Sequence, residues 1–129
     1  MTLDAMIMDG QTGNVGGVGG LRRVKNAAGV ARIVLDHTLH SLLVGSSATD
    51  FALQMGFKEE LLEDEATNKQ RTDWIDNQCQ PNFWVNVTPD SSLSCGPYTI
   101  GDSNDPKEGP VIDNTNHDTI GMVVVDDQD

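Results

Sequence analysis

At 129 residues the chain has the length of one domain with a modest core. Eight basic against twenty acidic side chains leave a net charge of −12, which repels nucleic-acid phosphates and anionic membrane faces and excludes both as expected partners. No stretch approaches the roughly 18 apolar residues that cross a bilayer, so a soluble chain is expected.

The first ten residues, Met1 to Gly10, lack the basic start and long apolar core of a secretory leader and read as a strand. Leu3, Ala5 and Ile7 alternate with Asp4, Met6 and Met8, and Asp9-Gly10 supplies a turn. Residues 15 to 18 are expected to pair back as a second strand. A chain that opens inside a sheet element is expected to be a truncated product or a partial gene product.

The glycines at 16, 17, 19 and 20 precede a helical pattern from Leu21 to about Leu39. Val24, Ala27, Ala28, Ala31, Val34 and Leu35 fall on one face of it, and Arg22, Arg23, Lys25, Arg32 and Asp36 fall elsewhere. Backbone amides in such a glycine run could meet an anion, but neither the dinucleotide nor the Walker spacing is present, so tight turns or close strand packing are expected instead. His37 and His40 have a spacing that permits shared metal ligation. No third ligand lies near them, and a charge-complementary role at the helix C-terminus is expected.

Ser41 to Val44 reads as a short strand ended by Gly45, which suggests alternating strand and helix units. Ser47 is expected to cap a helix over 48 to 55, with Phe51, Ala52 and Met55 inward and Gly56 stopping it. Residues 59 to 77 are expected to hold a mainly exposed helix anchored by Leu61, Leu62, Trp74 and Ile75, with the acids from Glu59 to Glu65 solvated.

From Gln80 to Asn116 the pattern becomes a long irregular loop holding all five prolines, Pro81, Pro89, Pro97, Pro106 and Pro110. Cys79 and Cys95 bracket part of it, either as a disulfide or as two free thiols. Asn86-Val87-Thr88 is a weak N-glycosylation acceptor pattern, since Pro89 follows. Asp102, Asn104 and Asp105 lack the ligand order of a calcium loop, and no metal or cofactor is expected. No Gly-x-Ser-x-Gly elbow supports a serine triad.

The run His117-Asp118-Thr119-Ile120-Gly121-Met122 leads into Thr119 to Val125, which reads as a buried β-branched strand. A hydroxyl directly after a scissile carbonyl can attack it through a five-membered ring, turning the amide into an ester that water opens. Asp118 could strain that peptide or handle its proton, although an Asp-Thr dipeptide before a strand, taken by itself, is more often a loop end. The product would be a threonine whose hydroxyl is nucleophile and whose free α-amine, with an unperturbed pKa near 7.7 to 8.0, is base.

The chain resembles the aspartylglucosaminidase (glycosylasparaginase) family of N-terminal nucleophile hydrolases. The resemblance rests on Thr2 to Gly10, Val15 to Gly45 around Leu21-Arg22-Arg23-Val24-Lys25-Asn26, Cys79-Gln80-Pro81-Asn82-Phe83-Trp84, Cys95-Gly96-Pro97-Tyr98 and His117 to Val124. Residues 57 to 75 and 99 to 116 look unlike it. The resemblance implies an α/β (α+β) αββα sandwich, incomplete at both ends here. It implies a precursor cut at Asp118-Thr119, with residues 1–118 as an α-subunit-like segment, 99–116 as its variable loop, and 119–129 as the first strand of the β subunit.

By the same resemblance Thr119 is the nucleophile, Cys79 and Cys95 form a disulfide, and the α and β subunits form a heterodimer and a higher oligomer. The implied substrate is a glycoasparagine, whose N-acetylglucosamine-asparagine bond is hydrolysed in lysosomal glycoprotein breakdown. Plant-type asparaginases and isoaspartyl peptidases, which usually carry Gly-Thr-Val-Gly at the cleavage point, fit less well. The family's substrate-contacting tryptophan is expected before Met1, and its oxyanion-hole threonine and glycine and its arginine and aspartate clamp after Asp129. The 129-residue chain is therefore expected to be uncut and to have little or no amidase activity, or to associate non-catalytically with full-length subunits.

Overall fold

A computed structural model describes residues 1–101 and 119–125. Instead of the one domain expected from length, the chain divides into two compact units, Met1–Lys69 and Gln70–Asp129. The division follows composition, because nearly all of the buried hydrophobic side chains lie in the first unit.

The first unit holds a three-stranded sheet built from β1 (Leu3–Met8), β2 (Val15–Leu21) and β3 (Leu42–Val44), in the order β1-β2-β3. β1 and β2 run antiparallel, joined by a turn in which the Asp9 amide donates to the Asn14 carbonyl at 2.9 Å. β2 and β3 run parallel, with Gly17, Val18 and Gly19 opposite Leu42, Leu43 and Val44. The crossover between them is helix α1, Ala27–His37, and β3 runs directly into helix α2, Gly45–Gln54. The expected strand and helix alternation is present.

One face of the sheet is packed. Val18, Leu21, Val24, Val30, Ala31, Val34, Ala48 and Ala52 form the core, with Leu3, Ala5, Ile7 and Leu43 packed against it. Each Val or Leu buried there contributes about 1.5 to 3 kcal/mol of transfer free energy. Met6, Met8, Leu42 and Val44 are exposed at 70%, 61%, 59% and 58%, so the second face is apolar and open to solvent. The α+β class of the sequence reading holds, with helices layered on one side of a mixed sheet.

Several boundaries differ from the sequence reading. Leu21 ends β2 rather than starting a helix, and α1 begins after Asn26, whose side chain accepts from the Gly29 amide at 2.9 Å. Asn26 satisfies a first-turn donor, so the helix has no reason to extend back through Arg22 and Lys25. Val30 is buried where Ala28 is exposed.

Ser47 caps nothing. Gly45, at φ +63, turns β3 straight into α2, so the helix starts two residues before Ser47 and carries no side-chain cap. Met55 is exposed rather than inward, while Gly56, at φ +89, stops the helix as expected.

Helix α3, Glu65–Asp76, is exposed along its length, as its charge pattern implies. Leu61, at 81% exposure, anchors nothing. The helix is instead fixed at its start, where Asp64 Oδ1 accepts from the Thr67 amide at 2.8 Å and Thr67 Oγ1 accepts from the Asp64 amide at 2.9 Å, a reciprocal capping box. Near its end Trp74 Nε1 donates to the Pro81 carbonyl at 2.8 Å.

Candidate functional site

Gly16, in the glycine run of β2, is spent on packing. A Cβ added at Gly16 would lie 2.4 Å from the Leu35 backbone nitrogen and 2.5 Å from the Ala31 carbonyl, so α1 lies against bare strand backbone. Close packing is thus the use made of Gly16, whereas Gly20, at φ +62, serves a turn of the backbone.

His37 sits in the last turn of α1, the place expected of it. Beyond it Thr38 Oγ1 donates to the Val34 carbonyl at 2.8 Å and accepts from the His40 amide at 3.0 Å. His40, Ser47 and Asp50 line one broad, open depression together with Leu39, Leu43 and Phe51. No hydrogen bond joins the three polar side chains, so the depression lacks the base-to-nucleophile contact that a triad needs. Nothing in the sequence marks this grouping, because its members come from separate elements without a motif. Among the described residues no group of three His, Cys, Asp or Glu side chains could hold a metal ion, and no helix is long and apolar enough to cross a membrane.

The second unit is ordered by a covalent link and by polar contacts. Cys79 and Cys95 form a disulfide, with their Cα atoms 5.1 Å apart. Inside the loop it closes, the side-chain amides of Gln80 and Asn82 both donate to the Ser91 carbonyl, at 2.6 and 2.7 Å. Ser91 Oγ donates to the Trp84 carbonyl at 2.7 Å, and the Tyr98 hydroxyl donates to the Ser94 carbonyl. The Trp84 and Tyr98 rings lie 5.2 Å apart, tilted by 44°. The Asp90 carboxyl is held below the usual carboxylate range by the Ser92 amide and then by the Ser92 hydroxyl.

Short strands β4 (Val87–Thr88) and β5 (Thr99–Ile100) pair antiparallel, so the loop expected to be irregular contains a small ladder. The Gly101 amide extends it by donating to the Asn86 carbonyl at 2.9 Å.

Thr119 is exposed, and residues 119–125 form no strand. Ile120, Met122, Val123, Val124 and Val125 are exposed at 76% or more, which corrects the expectation of a buried strand. A β-branched run has strand propensity, but a strand exists only where a neighbour accepts its hydrogen bonds. Asp118 and His117 lie outside the described residues, as do Asp102, Asn104 and Asp105 and nearly all of the 99–116 segment.

Comparison with known proteins supplies what this geometry does not. A family model described as Asparaginase matches residues 1–129. The N(4)-(beta-N-acetylglucosaminyl)-L-asparaginase of Rattus norvegicus is 55% identical over 126 residues, covering 96% of this chain and 36% of the rat protein. Its counterpart in Mus musculus is 56% identical over 128 residues, covering 96% of this chain and 37% of the mouse protein. The chain thus spans about a third of the length of these curated relatives.

Proposed function

The chain belongs to the asparaginase family whose model it matches throughout, and from that premise we propose that it serves an amidohydrolase acting on the bond between N-acetylglucosamine and asparagine. The observation that carries this reading is the 55% identity to the rat enzyme over 96% of the chain, since the name of that relative states the bond. The family match includes the His117 to Val125 run, which supports Thr119 as the reacting residue.

The proposed chemistry has two stages. In the first, the Thr119 hydroxyl attacks the Asp118 carbonyl carbon, the peptide nitrogen leaves and takes a proton, and water hydrolyses the resulting ester. In the second, the freed Thr119 α-amine takes the proton from the Thr119 hydroxyl as its oxygen attacks the glycoasparagine amide carbonyl. The glycosylamine departs, and water then releases aspartate from the threonine ester. Asp118 supports the first stage by straining or protonating the scissile peptide, and His117 stands next to it. Residues 1–118 and the residues from Thr119 onward would become the α and β subunits of a heterodimer that assembles further. Glycoprotein breakdown in the lysosome is the setting consistent with that substrate and with the Cys79–Cys95 disulfide.

A chimera tests the reading. Residues 1–129 replace the matching segment of the rat enzyme, and the product is examined by intact mass and by release of aspartate from N-acetylglucosaminyl-asparagine. Two polypeptides divided at Asp118-Thr119 and measurable turnover are expected, with Thr119→Ala abolishing both. A folded chimera that stays uncut, or one that keeps turnover without Thr119, would remove the basis for the assignment.

A further inference from the structure

We propose that Asn86 is an acceptor for an N-linked glycan. Asn86-Val87-Thr88 is the only Asn-x-Ser/Thr triplet in the sequence. The structure leaves its two reactive side chains unengaged: neither the Asn86 carboxamide nor the Thr88 hydroxyl makes a hydrogen bond among the described residues. Other asparagine side chains nearby are committed, Asn77 to the Gln80 carbonyl at 3.2 Å and Asn82 to the Cys79 and Ser91 carbonyls at 3.2 and 2.7 Å. The Asn86 backbone is held by the Gly101 amide while its φ of +55 puts a bend directly before β4. Thr88 is exposed, two residues on.

The second observation is the compartment. Asn86 lies within the loop closed by Cys79–Cys95, and such a bond forms where the secretory pathway is oxidising, which is also where asparagine is glycosylated. The donor is a lipid-diphosphate-linked oligosaccharide. The Asn86 amide nitrogen attacks the anomeric carbon of the first sugar, the carbon–oxygen bond to the diphosphate breaks, and the amide proton leaves with the lipid diphosphate. Pro89 works against this transfer, because a following proline restricts Thr88 to extended backbone. Occupancy is therefore partial.

The test expresses residues 1–129 behind a cleavable secretory leader in a eukaryotic cell. Transfer acts on the entering chain before folding is complete, so occupancy is scored on all material inside the membrane-enclosed fraction, folded or not. A peptide:N-glycosidase digestion in heavy-oxygen water is read by peptide mass. The expected result is a glycan-bearing fraction that the enzyme converts to labelled aspartate at position 86, lost in Asn86→Gln and Thr88→Ala, kept in Thr88→Ser and increased in Pro89→Ala. A wild-type chain without glycan overturns the proposal whatever Pro89→Ala does, and so does a glycan that persists in Asn86→Gln.

Discussion

Asp4 Oδ1 accepts a hydrogen bond from the Gly20 amide at 2.6 Å, across an irregularity in the pairing of β1 with β2. Leu3 pairs with Leu21 but Ala5 pairs with Val18, so two residues of β1 span the same distance as three of β2. Gly20, at φ +62, absorbs the extra residue, as glycine does in a bulge. Asp4→Ala should lose about 1 kcal/mol of stability, and Asp4→Asn less, since an amide oxygen can still accept. Gly20→Ala should lose roughly 1 to 2 kcal/mol for the left-handed backbone. Denaturant midpoints of the three variants test this order; equal midpoints for Asp4→Ala and wild type would make the contact irrelevant.

Gly16 is the point where the least space remains. A methyl group there meets the Leu35 nitrogen at 2.4 Å and the Ala31 carbonyl at 2.5 Å, both backbone atoms that cannot rotate away. Gly16→Ala must push α1 off the sheet, at a cost of about 3 kcal/mol or more. Gly10→Ala is the control, since no atom of the described residues lies within 4 Å of its added carbon. Comparable melting temperatures for the two variants would show that α1 is not seated as described.

The Cys79–Cys95 bond should matter only to the second unit. The loop it closes loses roughly 3 kcal/mol of unfolded-chain entropy under the loop-closure model, and the described part of that unit has no buried apolar side chain other than Cys79 to compensate. Reduction, or Cys79→Ala with Cys95→Ala, should speed proteolysis between residues 80 and 100 while leaving cleavage within Met1–Lys69 unchanged. Unaltered proteolysis in the loop would mean that its polar contacts suffice.

What could be read in advance follows the strength of local physics. β1 was legible because its alternation of Leu3, Ala5 and Ile7 with polar or exposed neighbours reports one packed face. The boundaries of α1 and α2 were not, since Asn26 and Gly45 act through a cap and a positive φ that hydrophobic periodicity does not register. The reciprocal cap of α3 by Asp64 and Thr67 went unread for the same reason. For the site, the order of residue types around Thr119 allows a self-cleaving nucleophile without requiring one, and its surroundings depend on long-range pairing. The expected strand after Thr119 failed at that step: the run has the propensity, but residues 119–125 form no strand.

Asp64 gives α3 a dependence on pH. Its carboxyl is lowered from 3.8, first by the Thr67 amide, then by the Thr67 hydroxyl. A folded-state pKa below the unfolded one means that the contribution is present above the unfolded value and is lost as pH falls through the folded one. Helix content measured by circular dichroism should therefore hold steady from neutral pH down to about 5 and fall below the unperturbed carboxylate range. Asp64→Asn should flatten part of that acid-side decrease, and Thr67→Ala should lower helix content at neutral pH. An acid titration identical in Asp64→Asn and wild type would assign the decrease to other carboxylates.

The open face of the three-stranded sheet should govern association. Met6 and Met8 on β1 and Leu42 and Val44 on β3 share it with Gly17 and Gly19, whose added carbons would touch Leu42 Cδ1 at 3.2 Å and Val44 Cγ1 at 3.4 Å. Among the described residues β3 is also an edge strand, with backbone groups available for another chain. Because Met6 and Leu42 are 70% and 59% exposed in the 129-residue polypeptide, Met6→Lys with Leu42→Lys should change its stability by less than about 0.5 kcal/mol per site. The same pair should suppress concentration-dependent self-association in sedimentation velocity, since contiguous exposed apolar surface drives it and an edge lysine opposes it. Asp4 also borders this face, its carboxylate oxygen 3.5 Å from the carbon added at Gly19. The chain's charge of −12 opposes association at long range, so added salt should strengthen self-association of the wild type by screening that repulsion. It should do little to the lysine pair. A wild-type chain that sediments as a monomer at every concentration and salt would show that the face is too small to act.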